Sequence, residues 1–206
     1  MKKLLNVIAC TLLAVSASAQ AKKPKPILPA DVQIRVAVMA APKEFRDSAT
    51  VLGYTPDGKL TVLRQGTNDM ICLAPNPKQF GVYVYAYPKS LEPFMARGRE
   101  LTAQGKLRQK DSTREAEIKS GKLFMPKEAT IMYGYWGKDE ALVPETGEIK
   151  DGQRRYVVYM PYATGASTGL PTEPAEPGMP WLMGAGTYKA HIMINPPDMG
   201  GHSHSH

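Results

Sequence analysis

Hydrophobic and polar positions alternate with a period of two through much of this chain, which is the mark of half-buried strands. Val32-Gln33-Ile34-Arg35-Val36-Ala37-Val38 reads this way and predicts a strand. Ala49–Tyr54 and Leu60–Gln65 predict two more, joined by a turn at Pro56-Asp57-Gly58. A short apolar run, Met70–Leu73, follows the turn residues Gly66-Thr67-Asn68-Asp69. The clearest strand is Phe80–Tyr87. It puts Phe80, Val82, Val84 and Ala86 on one face and Tyr83, Tyr85 and Tyr87 on the other. Strand character returns at Thr130–Trp136, Arg155–Met160 and Tyr188–Ile194.

The period changes to that of a helix after Ser90. Leu91, Phe94, Met95 and Leu101 recur at helical spacing with Gly98 on the same stripe. Ser90 fits an N-cap, Pro93 fits the first turn, and Gly105 is a natural stop. A second short helix is expected from Ser112, with Glu115 completing a capping box, to Gly121. There is no internal repeat and no βαβ alternation. The expected fold is therefore α+β: a β-rich antiparallel sheet with a helical insertion around 90–120. Pro161–Thr187 holds five prolines and five glycines without periodicity, so a long Pro/Gly-rich loop is expected there. Such a loop is either functional or a wrap that covers a sheet edge.

The chain begins with a different kind of pattern. Lys2 and Lys3 precede an apolar stretch, Leu4–Val15, and Ala17-Ser18-Ala19 supplies small residues before Gln20. This is the layout of a cleavable signal peptide over residues 1–19. The apolar run is about 12 residues, against about 20 for a bilayer crossing. Cys10 follows Val7-Ile8-Ala9 in a lipid-attachment-like order, but most of the hydrophobic run lies after it, so cleavage near Ala19 is the expected route. The implied localisation is exported, periplasmic or extracellular. Residues 20–31, rich in Lys and Pro, read as a linker, 32–198 as a single globular domain, and 199–206 as a flexible His-rich tail.

Composition changes this picture little. The chain is 43% hydrophobic and 22% charged, which suits a globular domain and not a disordered one. Cleavage would take the formal charge from +7 to about +5, and part of the remainder lies in Lys22, Lys23 and Lys25. No basic stripe suggests nucleic acid, and no later segment is apolar enough to suggest a membrane span. Cys72 would be left without an internal disulfide partner, and its apolar neighbours suggest a buried thiol.

Three groups of residues invite a chemical reading. Gly165-Ala166-Ser167-Thr168-Gly169 matches the nucleophile elbow of serine hydrolases, with Glu173 or Glu176 and then His191 in the order of that triad. The prolines that follow leave no helix to expose the serine, so a Gly/Ser/Thr turn is the expectation. All four histidines lie near the C-terminus: His191, His202, His204 and His206. The alternating tail would place three imidazoles on one side of an extended chain, suited to zinc, copper or nickel, with Met193 and Met199 as softer neighbours. A polar tail that chelates only adventitiously is the alternative. Finally, the tyrosine row at 83, 85 and 87 offers a stacking platform or a face packed under a helix. Trp136, Trp181, Tyr162 and Tyr188 likewise offer a pocket lining or core anchors.

Several blocks resemble a group of exported bacterial proteins of uncharacterised activity. They are Leu63-Arg64-Gln65-Gly66-Thr67-Asn68-Asp69-Met70-Ile71-Cys72-Leu73, Lys89-Ser90-Leu91-Glu92-Pro93-Phe94-Met95-Ala96-Arg97-Gly98-Arg99-Glu100-Leu101, and His191-Ile192-Met193-Ile194. Pro161-Tyr162-Ala163-Thr164, Ser167-Thr168-Gly169-Leu170-Pro171 and Pro180-Trp181 extend the resemblance over most of the chain after the leader. That group often carries a second cysteine and a histidine in the Phe80 strand. Here the place reads Val84-Tyr85-Ala86-Tyr87-Pro88, so no disulfide or metal site is carried over to Cys72. The resemblance implies export and a shared fold, and no activity. The expectation is an exported soluble protein with a non-catalytic binding or structural domain and an unknown ligand. The alternatives are a metal-binding protein of the cell envelope that uses the His-rich tail, and a secreted hydrolase.

Overall fold

The computed structural model describes residues 25–197. The expected signal peptide and the expected tail, with His202, His204 and His206, lie outside the described residues. In chain order the elements are α1 (Ala30–Val38), β1 (Thr50–Tyr54), β2 (Leu60–Arg64), β3 (Met70–Leu73), β4 (Val82–Pro88), α2 (Glu92–Ala103) and α3 (Lys110–Lys119). Then come β5 (Thr130–Gly137), β6 (Leu142–Val143), β7 (Glu148–Ile149), β8 (Gln153–Tyr159), α4 (Gly165–Thr168), β9 (Trp181–Met183) and β10 (His191–Ile194). Eight strands form one sheet in the order β2-β1-β3-β4-β5-β8-β10-β9, and β6 and β7 form a small hairpin beside it. The fold is α+β, with helices on both faces of a mixed sheet.

The segment 32–38 is helical, which corrects the expected strand. Its apolar residues satisfy two periods at once. Val32, Ile34, Val36 and Val38 alternate, but Val32, Gln33, Val36, Ala37, Ala40 and Ala41 also form a helical stripe, and that stripe is the buried one. The Asp31–Arg35 ion pair (2.7 Å) spans one turn of α1. Gln33 is buried within this stripe because its carboxamide works as a piece of strand. It donates to Leu28 O (2.8 Å) and Tyr54 O (2.9 Å) and accepts from Tyr54 N–H (2.7 Å).

The described part of the Lys/Pro-rich stretch lies on the domain. Lys25 N–H donates to Pro77 O (3.1 Å), and Lys25 Nζ reaches Gly81 O (2.7 Å) and Asp139 Oδ1 (2.5 Å).

Sheet pairing is antiparallel except at β1–β3, which run parallel. The β1–β2 hairpin points outward, and the chain must then cross back over the start of β1 to lay β3 on its inner side. Gly66 makes that crossing. A Cβ there would lie 2.2 Å from Thr50 N, so only glycine lets the two backbones approach. Gly66 N–H donates to the Thr50 hydroxyl (3.2 Å), and Thr67 N–H donates to Ser48 O (2.8 Å).

Both sheet faces are covered in the first half of the sheet. The apolar run in β3 sends Met70 and Cys72 to one side and Ile71 and Leu73 to the other. On the first side Val36, Ala37, Ala40 and Ala41 pack on Val51, Val84, Ala86 and Tyr135. On the second, Leu91 and Phe94 from the α2 region and Ile118 from α3 pack on Tyr85, Tyr87 and Tyr159. Each fully buried Val or Leu of this kind stabilises by roughly 1.5–3 kcal/mol.

The 90–120 insertion is α2 and α3. α2 begins after a 3-10 turn (Lys89–Leu91) and not at a Ser90 cap, with Pro93 in its first turn as expected. It closes at Gly105 (φ +73°), where Lys106 N–H reaches back to Leu101 O (2.9 Å). α3 starts two residues before Ser112, without a side-chain cap. Gly98 lets the two helices meet, since a Cβ there would lie 3.0 Å from Arg114 Nη1.

The Pro/Gly-rich span 161–187 contains α4 and the edge strand β9. Its prolines also shield that edge, because Leu182 N–H donates to Pro171 O (2.8 Å).

Candidate functional site

The side of the sheet that carries α2 and α3 divides into two parts. Strand alternation and register place Tyr83, Tyr85, Tyr87, Met132, Trp136, Arg155, Val157, Tyr159, His191, Met193 and Trp181 on this side. The helices cover Tyr87, Tyr85 and Tyr159. Two of the row's three tyrosines, Tyr85 and Tyr87, thus pack under the helices, one of the two expected roles. Tyr87 is fully buried, and burial pushes its hydroxyl far above the ordinary phenol range. Its O–H donates to Glu92 Oε2 (2.7 Å), while Arg99 donates to both Tyr87 Oη (2.8 Å) and Glu92 Oε1 (2.6 Å).

His191 is the first residue of β10. Its Nδ1 lies 2.7 Å from Lys189 O, and its ring packs 5.3 Å from that of Tyr159. Nearby, Asp111 binds Arg114 (2.8 Å) and Lys189, and Tyr188 O–H donates to Asp111 O (3.0 Å). The Arg114 guanidinium lies over the Phe94 ring, 4.1 Å from its centre. These contacts tie α3 to α2 and to the start of β10. Among the described residues, no three His, Cys, Asp or Glu side chains gather in a metal-binding group.

The nucleophile-elbow sequence is a helical turn, α4, which corrects the expectation that no helix starts there. Its bonding is that of a cap. The Ser167 hydroxyl accepts from Thr164 N–H (2.9 Å) and donates to Thr164 O (3.1 Å), and Ser167 N–H donates to the Thr164 hydroxyl (3.1 Å). Gly169 ends the turn at φ +70°. Cys72 is buried in the core, and burial pushes its thiol up to about 12, well away from thiolate chemistry at neutral pH.

Beyond the helices the same side of the sheet is differently built. Tyr83 and Trp136 stack in parallel, with centres 6.1 Å apart, and the Arg155 guanidinium lies 5.0 Å over Trp136. Gly134 lies between Tyr85 and Arg155 in register. At the sheet's end, Trp181 and Asn195 line a cleft of about 350 Å³. Residues 174–179 of the proline-rich span line it as well. The Trp181 indole nitrogen and the Asn195 Oδ1 are shielded from solvent behind this lining and have no hydrogen-bond partner, and Arg114 Nε, under the helices, is likewise buried and unpartnered. A buried unpaired donor or acceptor costs roughly 1–3 kcal/mol.

A second cleft, of about 230 Å³, lies under the N-terminal arm between Ile27, Leu28, Pro75 and Leu142. Its polar rim is satisfied internally through Lys25, Asp139 and Gln33. It therefore offers apolar volume without an unmet polar atom.

Trp181 is among the aromatic residues legible in the sequence as a pocket lining. Asn195 is not, because only the β9–β10 pairing brings it beside Trp181. No family model matches this chain, and comparison with curated proteins and with solved structures finds no match. Among the described residues, no helix is long and apolar enough to cross a membrane.

Proposed function

We propose that this chain is an exported, non-catalytic ligand-binding domain whose site is the cleft lined by Trp181, Asn195 and residues 174–179. The observation that carries the reading is the cleft itself, open to solvent and walled by Trp181, Met179 and three prolines with Asn195 among them. Trp181 and Asn195 each also hold a polar atom without a partner, which folding disfavours. The leader sequence supports export, to the periplasm or beyond the cell.

The test is a thermal-shift series on the mature chain, starting at Gln20. The probes are N-acetylglucosamine trimer, cellobiose, a blocked alanine dipeptide and zinc chloride. A ligand of the native state raises Tm in proportion to its occupancy. The expected result is stabilisation by at least one organic probe that is lost in Trp181→Phe. Stabilisation by none of them, or equal stabilisation of the variant, overturns the reading. Export is checked separately by finding the Gln20 N-terminus outside the cytoplasm.

A further inference from the structure

We infer that the guanidinium fork of Arg154, with Arg46 beside it, binds an organic carboxylate whose aromatic or apolar body lies on Tyr133 and Tyr156. This site is on the side of the sheet that carries α1, and it does not depend on the cleft proposed above.

The site is built on the end of α1. A helix leaves its last carbonyls without intrahelical partners, and here two arginines from distant parts of the chain reach the same one. Arg46 Nη2 donates to Met39 O (3.3 Å) and Arg154 Nη1 donates to it too (3.0 Å), so the two nitrogens are at most 6.3 Å apart. Arg46 is held further by Ala41 O (2.9 Å) and Met39 Sδ (3.4 Å). The end of a helix carries about half a negative charge. Two guanidiniums bring two positive charges, so capping α1 leaves most of that charge uncompensated. Among the described residues, the arginines that form ion pairs are Arg35, Arg97, Arg99 and Arg114. Arg46 and Arg154 form none. Burial first, and then the charge of Arg154, lower the pKa of the Arg46 guanidinium; the opposing charge of Glu44 is outweighed.

Arg154 has donors to spare, and they are accessible. Its Nε and Nη2 make no hydrogen bond among the described residues, and both reach solvent. These two N–H groups form one edge of the planar guanidinium, the edge that meets both oxygens of a carboxylate side-on. The fork is also held in place. It lies 4.4 Å over the ring of the buried Tyr135, whose hydroxyl donates to Ile149 O (2.8 Å) and accepts from Ile149 N–H (3.0 Å). Much of the ordering that a loose surface arginine would undergo on binding is therefore already complete.

What lies beside the fork selects the kind of anion. Tyr156 is two residues along β8 on the same face as Arg154, roughly 7 Å away along the strand, and Tyr133 is its cross-strand partner. The two rings meet edge to face with centres 6.0 Å apart, and both are half-buried. An inorganic anion would use the fork and leave this aromatic surface bare. A carboxylate with an aromatic or apolar body uses both.

The experiment is a ¹⁵N–¹H titration of the mature chain at low salt, reading the arginine Nε–H resonances, with that of Arg154 assigned by its loss in Arg154→Lys. The probes are benzoate, acetate, inorganic phosphate and, as a neutral analogue, benzamide. The expected result is a saturable shift of the Arg154 Nε–H with benzoate, weaker binding of acetate and phosphate, and no binding of benzamide. Arg154→Lys keeps the charge but has no fork. It should weaken benzoate about tenfold, the worth of one charge-assisted hydrogen bond, read from the resonances of Arg46 and neighbouring amides. Glu44→Gln removes the opposing charge at an exposed position and should tighten benzoate about twofold, a gain that a damaged fold does not produce. If acetate or phosphate binds as tightly as benzoate, the role of Tyr133 and Tyr156 is overturned. If benzamide binds as tightly as benzoate, if no probe moves the Arg154 resonance, or if both variants leave the benzoate affinity unchanged, the carboxylate site itself is overturned.

Discussion

The two halves of the helix-bearing side of the sheet handle polar groups to different degrees. Under α2 and α3, polar heads are drawn into mutual contact: Tyr87 with Glu92 and Arg99, Asp111 with Arg114 and Lys189. Toward β9 and β10, Trp181 and Asn195 are buried with their polar heads unanswered. The difference is one of degree, because Arg114 Nε is also buried without a partner in the first half. Burial is common to both halves, and what distinguishes them is how many of the buried polar heads are paired within the chain.

The sharpest way to break the comparison is at Phe94, which is 2% exposed and touches Tyr159, Tyr188 and Arg114. Phe94→Ala removes the aromatic ring on which both helices meet the sheet. It should cost about 3–5 kcal/mol, read as a lower urea midpoint with an unchanged slope. A loss under about 1 kcal/mol would mean that the helices are not held by this core.

Glu92→Ala comes next. Removing this carboxylate strands the fully buried Tyr87 and the Arg99 guanidinium, at a cost of about 1–3 kcal/mol. Glu92→Gln keeps an acceptor for Arg99 and should recover part of it. The sign of this change is the useful point. Deleting a polar head destabilises the half where heads are paired, whereas Trp181→Phe should stabilise the half where they are not.

The contrast also explains what the sequence reveals and what it hides. β4 is legible because Val82, Val84 and Ala86 alternate strictly with three tyrosines, and a strand with two unlike faces has one reading. The helical insertion is legible because Leu91, Phe94 and Leu101 fit only one period. α1 is not, since Val32, Ile34, Val36 and Val38 suit a strand as well as Val32, Val36 and Ala40 suit a helix. What decides is the burial of Gln33, a polar residue whose partners, Leu28 and Tyr54, are known only after folding. The parallel β1–β3 pair depends likewise on a crossing at Gly66 that local pattern does not encode. The cleft is hidden for the same reason. Trp181 stands out as an aromatic residue in a proline-rich span, but its significance comes from an indole N–H left without an acceptor beside Asn195. That is a fact of tertiary pairing.

The smallest expected effect tests the outer rim of the paired half. Asp111 is partly buried, which by itself would raise its carboxyl. Hydrogen bonds from Lys189 and Arg114, with their positive charge, outweigh this and bring it down to about 2, from an ordinary 3.8. A carboxyl that is more acidic in the folded chain than in the unfolded one stabilises the fold when ionised. Its contribution is therefore complete above about pH 4, declines as pH falls toward 2, and is absent below that. The side chain is 46% exposed, so solvent and salt screen the pair, and the contribution should be about 1 kcal/mol or less. Urea midpoints of the native chain and of Asp111→Asn should differ at pH 6, converge toward pH 2, and differ less in high salt. A gap that persists unchanged at pH 2 would assign the effect to packing of α3 and not to charge. If the gap does close, α3 is fastened to the start of β10 by an ion pair. That pair anchors the paired half of this face.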